Sequence, residues 1–294
     1  MQNIILKLSA IFLLIFITFC NSNQNALDNV TSSYFTLNNS RIHYKEFGQG
    51  QKTLIFIHGW GCDLNVWKYQ FDYFKNKHHI VLIDLPGYGQ SNKTEQEYTI
   101  NLFAKSVSEL INNLEITNPV LIAHSMGLPI TIEVTKQLNT ENTRLVNIDG
   151  VYFDFPTDSL ENVQYKEALN EFANLFNGEN YKQNVEKFCS GFITEETPKE
   201  VSDYIISTMT KTPERIGYQS MKSLVDENNW DKKTINNQTI AIYAKIPELL
   251  TENESVLKKK FSNMSYIELD SVNHFLMMEK PKKVNEILEH FIEK

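Results

Sequence analysis

Four short apolar stretches, over 53–57, 80–84, 119–123 and 144–149, alternate with amphipathic stretches over 65–75, 100–114 and 128–138. Short apolar runs without polar alternation belong to strands buried on both faces, which a sheet covered by helices provides. This alternation predicts an α/β fold with a mostly parallel central sheet flanked by helices. Ahead of it, Tyr34-Phe35-Thr36-Leu37 and Ile42-His43-Tyr44-Lys45-Glu46-Phe47 read as a hairpin across Asn38-Asn39-Ser40-Arg41. Ligands in such sheets bind outside the carboxyl ends of the strands. The residues at 58, 84, 125 and 149, each at the end of a predicted strand, are therefore where chemistry is expected.

Ala123-His124-Ser125-Met126-Gly127 turns the third of these strands into the helix at 128–138. The small residues two before and two after Ser125 let a tight corner close. Such a corner lifts the serine hydroxyl clear of the sheet and aims helix N-terminal amides at any developing anion. Further motifs stand in register: His58-Gly59-Trp60-Gly61, Asp84-Leu85-Pro86-Gly87-Tyr88-Gly89-Gln90-Ser91, and Val272-Asn273-His274-Phe275 before a final helix at 281–292. Together they resemble the α/β-hydrolase family, in family order, over residues 34–294. The chain departs from the family's pattern in having Ala123 for the first Gly of the corner, Leu128 for a frequent second Gly, and Asn273 where Gly is usual.

The resemblance implies Ser125 as nucleophile and His274 as base, with the Trp60 and Met126 backbone N–H groups as oxyanion hole. It makes the Asp84 loop structural, and His58 and His124 shapers of the loop and pocket. A triad also needs an acid to orient the imidazole. The usual place after the seventh strand reads Ala244-Lys245-Ile246-Pro247-Glu248, with Pro247 at the expected position and Glu248 one residue late. Some relatives carry the acid after the sixth strand, where this chain has Asp149. Asp149 is the preferred acid and Glu248 the alternative; with neither, the site would be a dyad. Asp270 reads as the end of the last strand.

Between 152 and 234 no buried strand is predicted. Amphipathic stretches at 159–176, 181–190, 198–210 and 213–227, rich in aromatics, read as an inserted helical cap whose inner face lines an apolar acyl pocket. The predicted organisation is a signal peptide (1–19), a tether (20–33), a first core segment (34–151), the cap (152–234) and a second core segment (235–294). Lys7 and the apolar run 8–19 make a signal-type segment too short for a comfortable membrane span. Ile17-Thr18-Phe19-Cys20 resembles a bacterial lipobox, with Phe19 where Gly, Ala or Ser is usual. A lipid anchor on Cys20 would put the protein in a bacterial cell envelope; an ordinary cleaved signal and an uncleaved anchor are the alternatives.

The net charge of −8 argues against nucleic acid as the main partner. Lys258-Lys259-Lys260 reads as a solvated helix end, and His43, His78, His79 and His290 as solvated side chains. No metal-ligand spacing occurs and no cofactor is implied. Cys62 and Cys189 read as two free or buried thiols, although an exported setting would permit pairing. A serine nucleophile disfavours the superfamily chemistries that form an ester on a carboxylate. The expected activity is hydrolysis of small carboxylic esters through an acyl-enzyme. A lactonase, an amidase or aminopeptidase and a carbon–carbon bond hydrolase share that machinery, and a ligand-binding or signalling protein with little turnover is the rival from another class.

Overall fold

The computed structural model describes residues 25–138, 142–245 and 253–294. Strands β1 (Ser32–Leu37) and β2 (Ser40–Phe47) form the hairpin, with Leu37 paired to Ser40. Between them Asn38 and Asn39 hold φ of 48° and 64°. Left-handed backbone at both central positions makes a tight turn whose twist matches its strands, and asparagine tolerates it. The turn is thus shorter than predicted, because pairing recruits Ser40 and Arg41 into β2.

Strands β3 (Thr53–Ile57), β4 (His79–Ile83), β5 (Val120–His124), β6 (Arg144–Ile148), β7 (Thr239–Ala244) and β8 (Met264–Leu269) complete an eight-stranded sheet ordered β1-β2-β4-β3-β5-β6-β7-β8. β2 runs antiparallel to both of its neighbours, and every pairing from β4 onward is parallel. The chain leaves β3 for β4 on one side, then crosses to β5 on the other. That reversal opens a crevice at the carboxyl ends of β3 and β5, where the chain continues into His58 and Ser125.

Helices α1 (Lys68–Phe74), α2 (Ile100–Asn113) and α3 (Gly127–Leu138) follow β3, β4 and β5. Thr99 caps α2 by accepting from Leu102 N at 3.1 Å. Four helices stand between β6 and β7: α4 (Ser159–Asn174), α5 (Tyr181–Ser190), α6 (Lys199–Met209) and α7 (Glu214–Leu224). Asp158 caps α4, and prolines 198 and 213 sit just before α6 and α7, where a missing N–H costs nothing. Helices α8 (Asn253–Lys260), α9 (Leu276–Glu279) and α10 (Pro281–Glu293) complete the chain. α2 packs on α3 and α1 on α10, and the residues of β5 are all buried.

The structure corrects several expectations about polar residues. His43 is fully buried, not solvated, donating to Asp84 Oδ2 at 2.7 Å and contacting Ser32 Oγ at 2.9 Å. His78 is also buried, and His79 is half-buried with Nε2 2.8 Å from Glu46; His290 is exposed. Lys260 is only 2% exposed and donates to Asp231 O, Asp231 Oδ1 and Lys233 O at 2.8–2.9 Å. Part of the expected tether is folded: Leu27 is buried within a 3-10 turn over Ala26–Asn29, and its carbonyl accepts from Lys45 Nζ at 2.7 Å. Residues 1–24, and with them Cys20, lie outside the described residues. Cys62 and Cys189 are free thiols in the interior; burial pushes the Cys189 pKa up to about 12.

Candidate active site

Ser125 sits between β5 and α3 with φ of 55°. A non-glycine residue pays strain in that left-handed region. The corner is held by backbone bonds: Ser125 N donates to Ile148 O at 3.2 Å, and Ser125 O accepts from Leu128 N at 3.0 Å and Val151 N at 3.2 Å. A Cβ on Gly127 would lie 3.0 Å from Ile57 O and 3.1 Å from the Ala123 methyl, so the closeness of the turn requires small residues. At Gly59 a Cβ would come within 2.9 Å of Ser125 Cβ and 3.0 Å of His124 Nδ1. This glycine lets the His58-Gly59-Trp60 loop pass over the serine.

Trp60 and Met126 are both buried, and no described acceptor takes either backbone N–H. Trp60 lines the cavity beside Ser125, and Met126 directly follows the serine in the chain. The Trp60 indole donates to Gly217 O at 2.9 Å, tying the loop to α7. His58 donates from Nδ1 to Gly59 O at 2.8 Å and accepts Leu85 N–H on Nε2 at 3.0 Å. Burial lowers its pKa, against the opposing pull of Asp84. His58 is therefore a neutral loop-shaper. Asp84 accepts from Leu64 N and Gln90 N, each at 2.8 Å, besides His43, so its loop is structural as expected.

His274 follows β8. It donates from Nδ1 to Asp149 Oδ2 at 2.6 Å, and Asp149 Oδ1 accepts Ala244 N at 2.9 Å. Asp149 itself holds φ of 45°, directly after β6. Its carboxylate thus has one oxygen fixed by the end of β7 and the other on the imidazole. That bond puts the proton on Nδ1 and leaves Nε2 free to accept. Glu248 lies outside the described residues. Asp270 follows the end of β8 and pairs with Lys245 at 3.2 Å.

Further residues steady the imidazole. The Phe192 ring stacks on it, centroids 4.5 Å apart and planes 25° apart. His124 donates from Nε2 to His274 O at 2.9 Å, linking the serine strand to the histidine loop. Burial, then the neighbouring His274, keep the His124 pKa well below the ordinary value. Asn273 accepts His274 N–H at 2.8 Å, and its own N–H points to the Glu279 carboxylate at 3.1 and 3.2 Å. Asn273 thus supplies a side-chain cap that Gly at this position would lack. Nothing in the sequence singles out Glu279, which lies in a four-residue helix too short for a periodic signal. Phe192 was legible only as one cap aromatic among several.

Ser125 and His274 open into one cavity of about 310 Å³. The Ser125 hydroxyl makes no hydrogen bond to a described residue. Among the described residues no three His, Cys, Asp or Glu side chains gather as a metal site would need.

The family model of the alpha/beta hydrolase fold matches residues 52–193, from β3 through the serine corner to just past α5. The (E)-2-((N-methylformamido)methylene)succinate hydrolase of Acinetobacter baylyi is 34% identical over 115 residues, which are 39% of this chain and 43% of that one. The chain therefore spans less than half the length of that relative. The pimeloyl-[acyl-carrier protein] methyl ester esterase of Legionella pneumophila is 23% identical over 257 residues, 85% of this chain and 99% of that one. A thermophilic esterase from Thermogutta terrifontis superposes with a TM-score of 0.74 at 18% identity, covering 90% of this chain and 98% of its own. With this strand order, a serine corner after β5 and a helical insertion after β6, the chain is a protein of the α/β-hydrolase fold, similar in sequence and shape to hydrolases and esterases.

Proposed function

We infer that this chain is a serine hydrolase of carboxylic esters. Ser125 is the nucleophile, His274 the base and Asp149 the orienting acid. The observation that carries the reading is the 2.6 Å bond from His274 Nδ1 to Asp149 Oδ2, beside a serine opening into the same cavity. Ser125 Oγ bonds to the ester carbonyl carbon as its proton passes to His274 Nε2. The Trp60 and Met126 amides hold the oxyanion. Collapse breaks the bond to the alcohol, which leaves with the proton from His274. Water then adds to the acyl-enzyme, giving its proton to His274; the acid departs and Ser125 takes the proton back. The sum is ester plus water to acid plus alcohol. A fluorophosphonate reagent should label wild-type protein once, on Ser125 by intact mass and peptide mapping, and leave Ser125→Ala unlabelled. Absence of labelling in folded wild-type protein would favour a binding protein on this fold.

We also propose that the chain is exported and anchored in a bacterial envelope by acylation of Cys20. Support comes from the signal-type segment and the lipobox-like Ile17-Thr18-Phe19-Cys20. Cys20→Ser should block processing or release the protein from membranes. A fragment beginning near residue 24, which keeps Leu27, should retain the wild-type turnover. Wild-type protein recovered soluble with another N-terminus would remove the anchor.

A further inference from the structure

The cavity over Ser125 has a one-sided chemistry. The core contributes Trp60, Val151 and Phe275 to its wall, and Phe153 joins them at the start of the cap segment. From the cap, α4 adds Leu169 and Phe172, and α5 with the turn after it adds Phe188 and Phe192. Met209, at the end of α6, and Met221 and Leu224 of α7 complete it. Ser125, His124 and His274 are its only polar side chains among the described residues, and no Lys, Arg, Asp or Glu lines it. The aromatic rings brace one another edge to face: Phe188 lies 5.7 Å from Trp60, 5.3 Å from Phe176 and 4.8 Å from Phe192 by centroids. Such edge-to-face pairs contribute to the packing of the wall beyond the area they bury.

We propose that this cavity selects uncharged acyl chains of about six to eight carbons and refuses acyl groups ending in a carboxylate. The proposal rests on the hydrolase reading and names its substrate class. At roughly 30 Å³ per group the size of a water molecule, a volume of about 310 Å³ holds about ten such groups. An ester linkage with a small alcohol fills three or four, and the acyl chain takes the rest. A distal carboxylate buried there would lose its water and, among the described residues, meet no Lys or Arg side chain, which is costly without a partner. This sets the chain apart from a hydrolase named for a succinate substrate, although part of the sequence is alike.

Methyl esters followed by acid release in a pH-stat test the selection. The rate constant kcat/KM should rise roughly fourfold per methylene from acetate, as about 0.8 kcal/mol each implies. It should peak between hexanoate and octanoate and fall by dodecanoate. Monomethyl octanedioate should react at least about a hundredfold more slowly than methyl octanoate, on the cost of an unpaired buried carboxylate. Leu169→Trp, at a half-buried position on α4, should move the optimum toward shorter chains. An optimum at acetate, a rate still rising at dodecanoate, or equal rates for the octanoate and octanedioate esters would overturn the proposal. Binding to Ser125→Ala by calorimetry separates this from failure of the hydrolase reading. There n-octanol should bind on the order of a hundredfold tighter than n-butanol, and 8-hydroxyoctanoate far more weakly than n-octanol. If wild-type protein hydrolyses no ester yet this order of binding holds, the hydrolase reading falls and the cavity's selection stands. If the alcohols bind equally, the selection falls whatever the turnover.

Discussion

Asp149 and His43 mark the two limits of what single residues reveal. The choice between Asp149 and Glu248 is open in the sequence because Pro247 occupies the usual acid position, and either Glu248 beside it or Asp149 after the sixth strand could compensate. Only the fold brings the loop after β6 to the loop after β8, across 125 positions of chain. His43 failed as a reading for the same physical reason. Its partner Asp84 lies 41 residues away, and no local pattern announces a histidine buried by a distant carboxylate. At this scale the prediction concerns the acid. Asp149→Asn keeps the size but removes the charge that supports an imidazolium, and the amide can favour the wrong imidazole tautomer. By analogy with other triads, kcat should fall by up to about 10⁴-fold. KM and the unfolding midpoint should change little by comparison, since the amide oxygen can still accept Ala244 N–H. Glu248→Gln should cost far less. A Glu248→Gln loss equal to that of Asp149→Asn would exchange the two roles.

Elements were more legible than residues, because periodicity records which face is buried. The predicted strand at 53–57 is β3 to the residue, and the helix predicted at 181–190 is α5. The others differ by a few residues at their ends, where fraying makes any boundary soft. The amphipathic stretch at 65–75 merges the 3-10 turn over Leu64–Trp67 with α1, since a short tight turn carries the same apolar spacing. What periodicity cannot register is a charged side chain drawn inward by another element. Lys260, the last residue of α8, looked like one of three solvated lysines. It crosses to the segment after α7, where its three bonds fix Asp231 and Lys233. Asp231 responds accordingly: burial would raise its pKa, but Lys136 and Lys260 together hold it below the usual carboxylate range. Lys260→Ala should leave two carbonyls and a partly buried carboxylate short of a donor, lowering stability by roughly 2–4 kcal/mol. Lys259→Ala, at an exposed neighbour, should change it by less than about 0.5 kcal/mol. Urea unfolding of the two variants side by side decides the point, and equal midpoints would return Lys260 to the surface.

For the whole molecule, the sequence disclosed the alternation of strands and helices and the four motifs, but not the strand order that joins them. The crossing from β4 over β3 to β5 brings the Trp60 loop against Ser125. Seating Asp149 between β7 and His274 then depends on β6, β7 and β8 lying in sequence beside it. In this interior, burial disfavours the charged form of His58 and His124, and this makes the fold sensitive to acid. His58 and His124 are fully buried, and burial lowers both pKa values. Unfolded, each would titrate near the ordinary value of about 6.5. Above that pH both states are neutral at these positions and the folded protein suffers no penalty. As pH falls below it, the unfolded chain takes up protons that the folded chain refuses, so stability declines. Each histidine steepens the decline by up to about 1.4 kcal/mol per pH unit until its folded pKa is reached. Unfolding free energy from urea titrations should therefore hold steady between pH 8 and 7 and drop between pH 6 and 5. His124→Phe keeps a ring in the slot beneath His274 and removes one titrating group. It should be less stable at pH 7.5, having lost the bond to His274 O, yet show an acid slope shallower by about one proton. A slope unchanged in His124→Phe would mean that this ring is protonated as readily in the folded protein as in the unfolded chain.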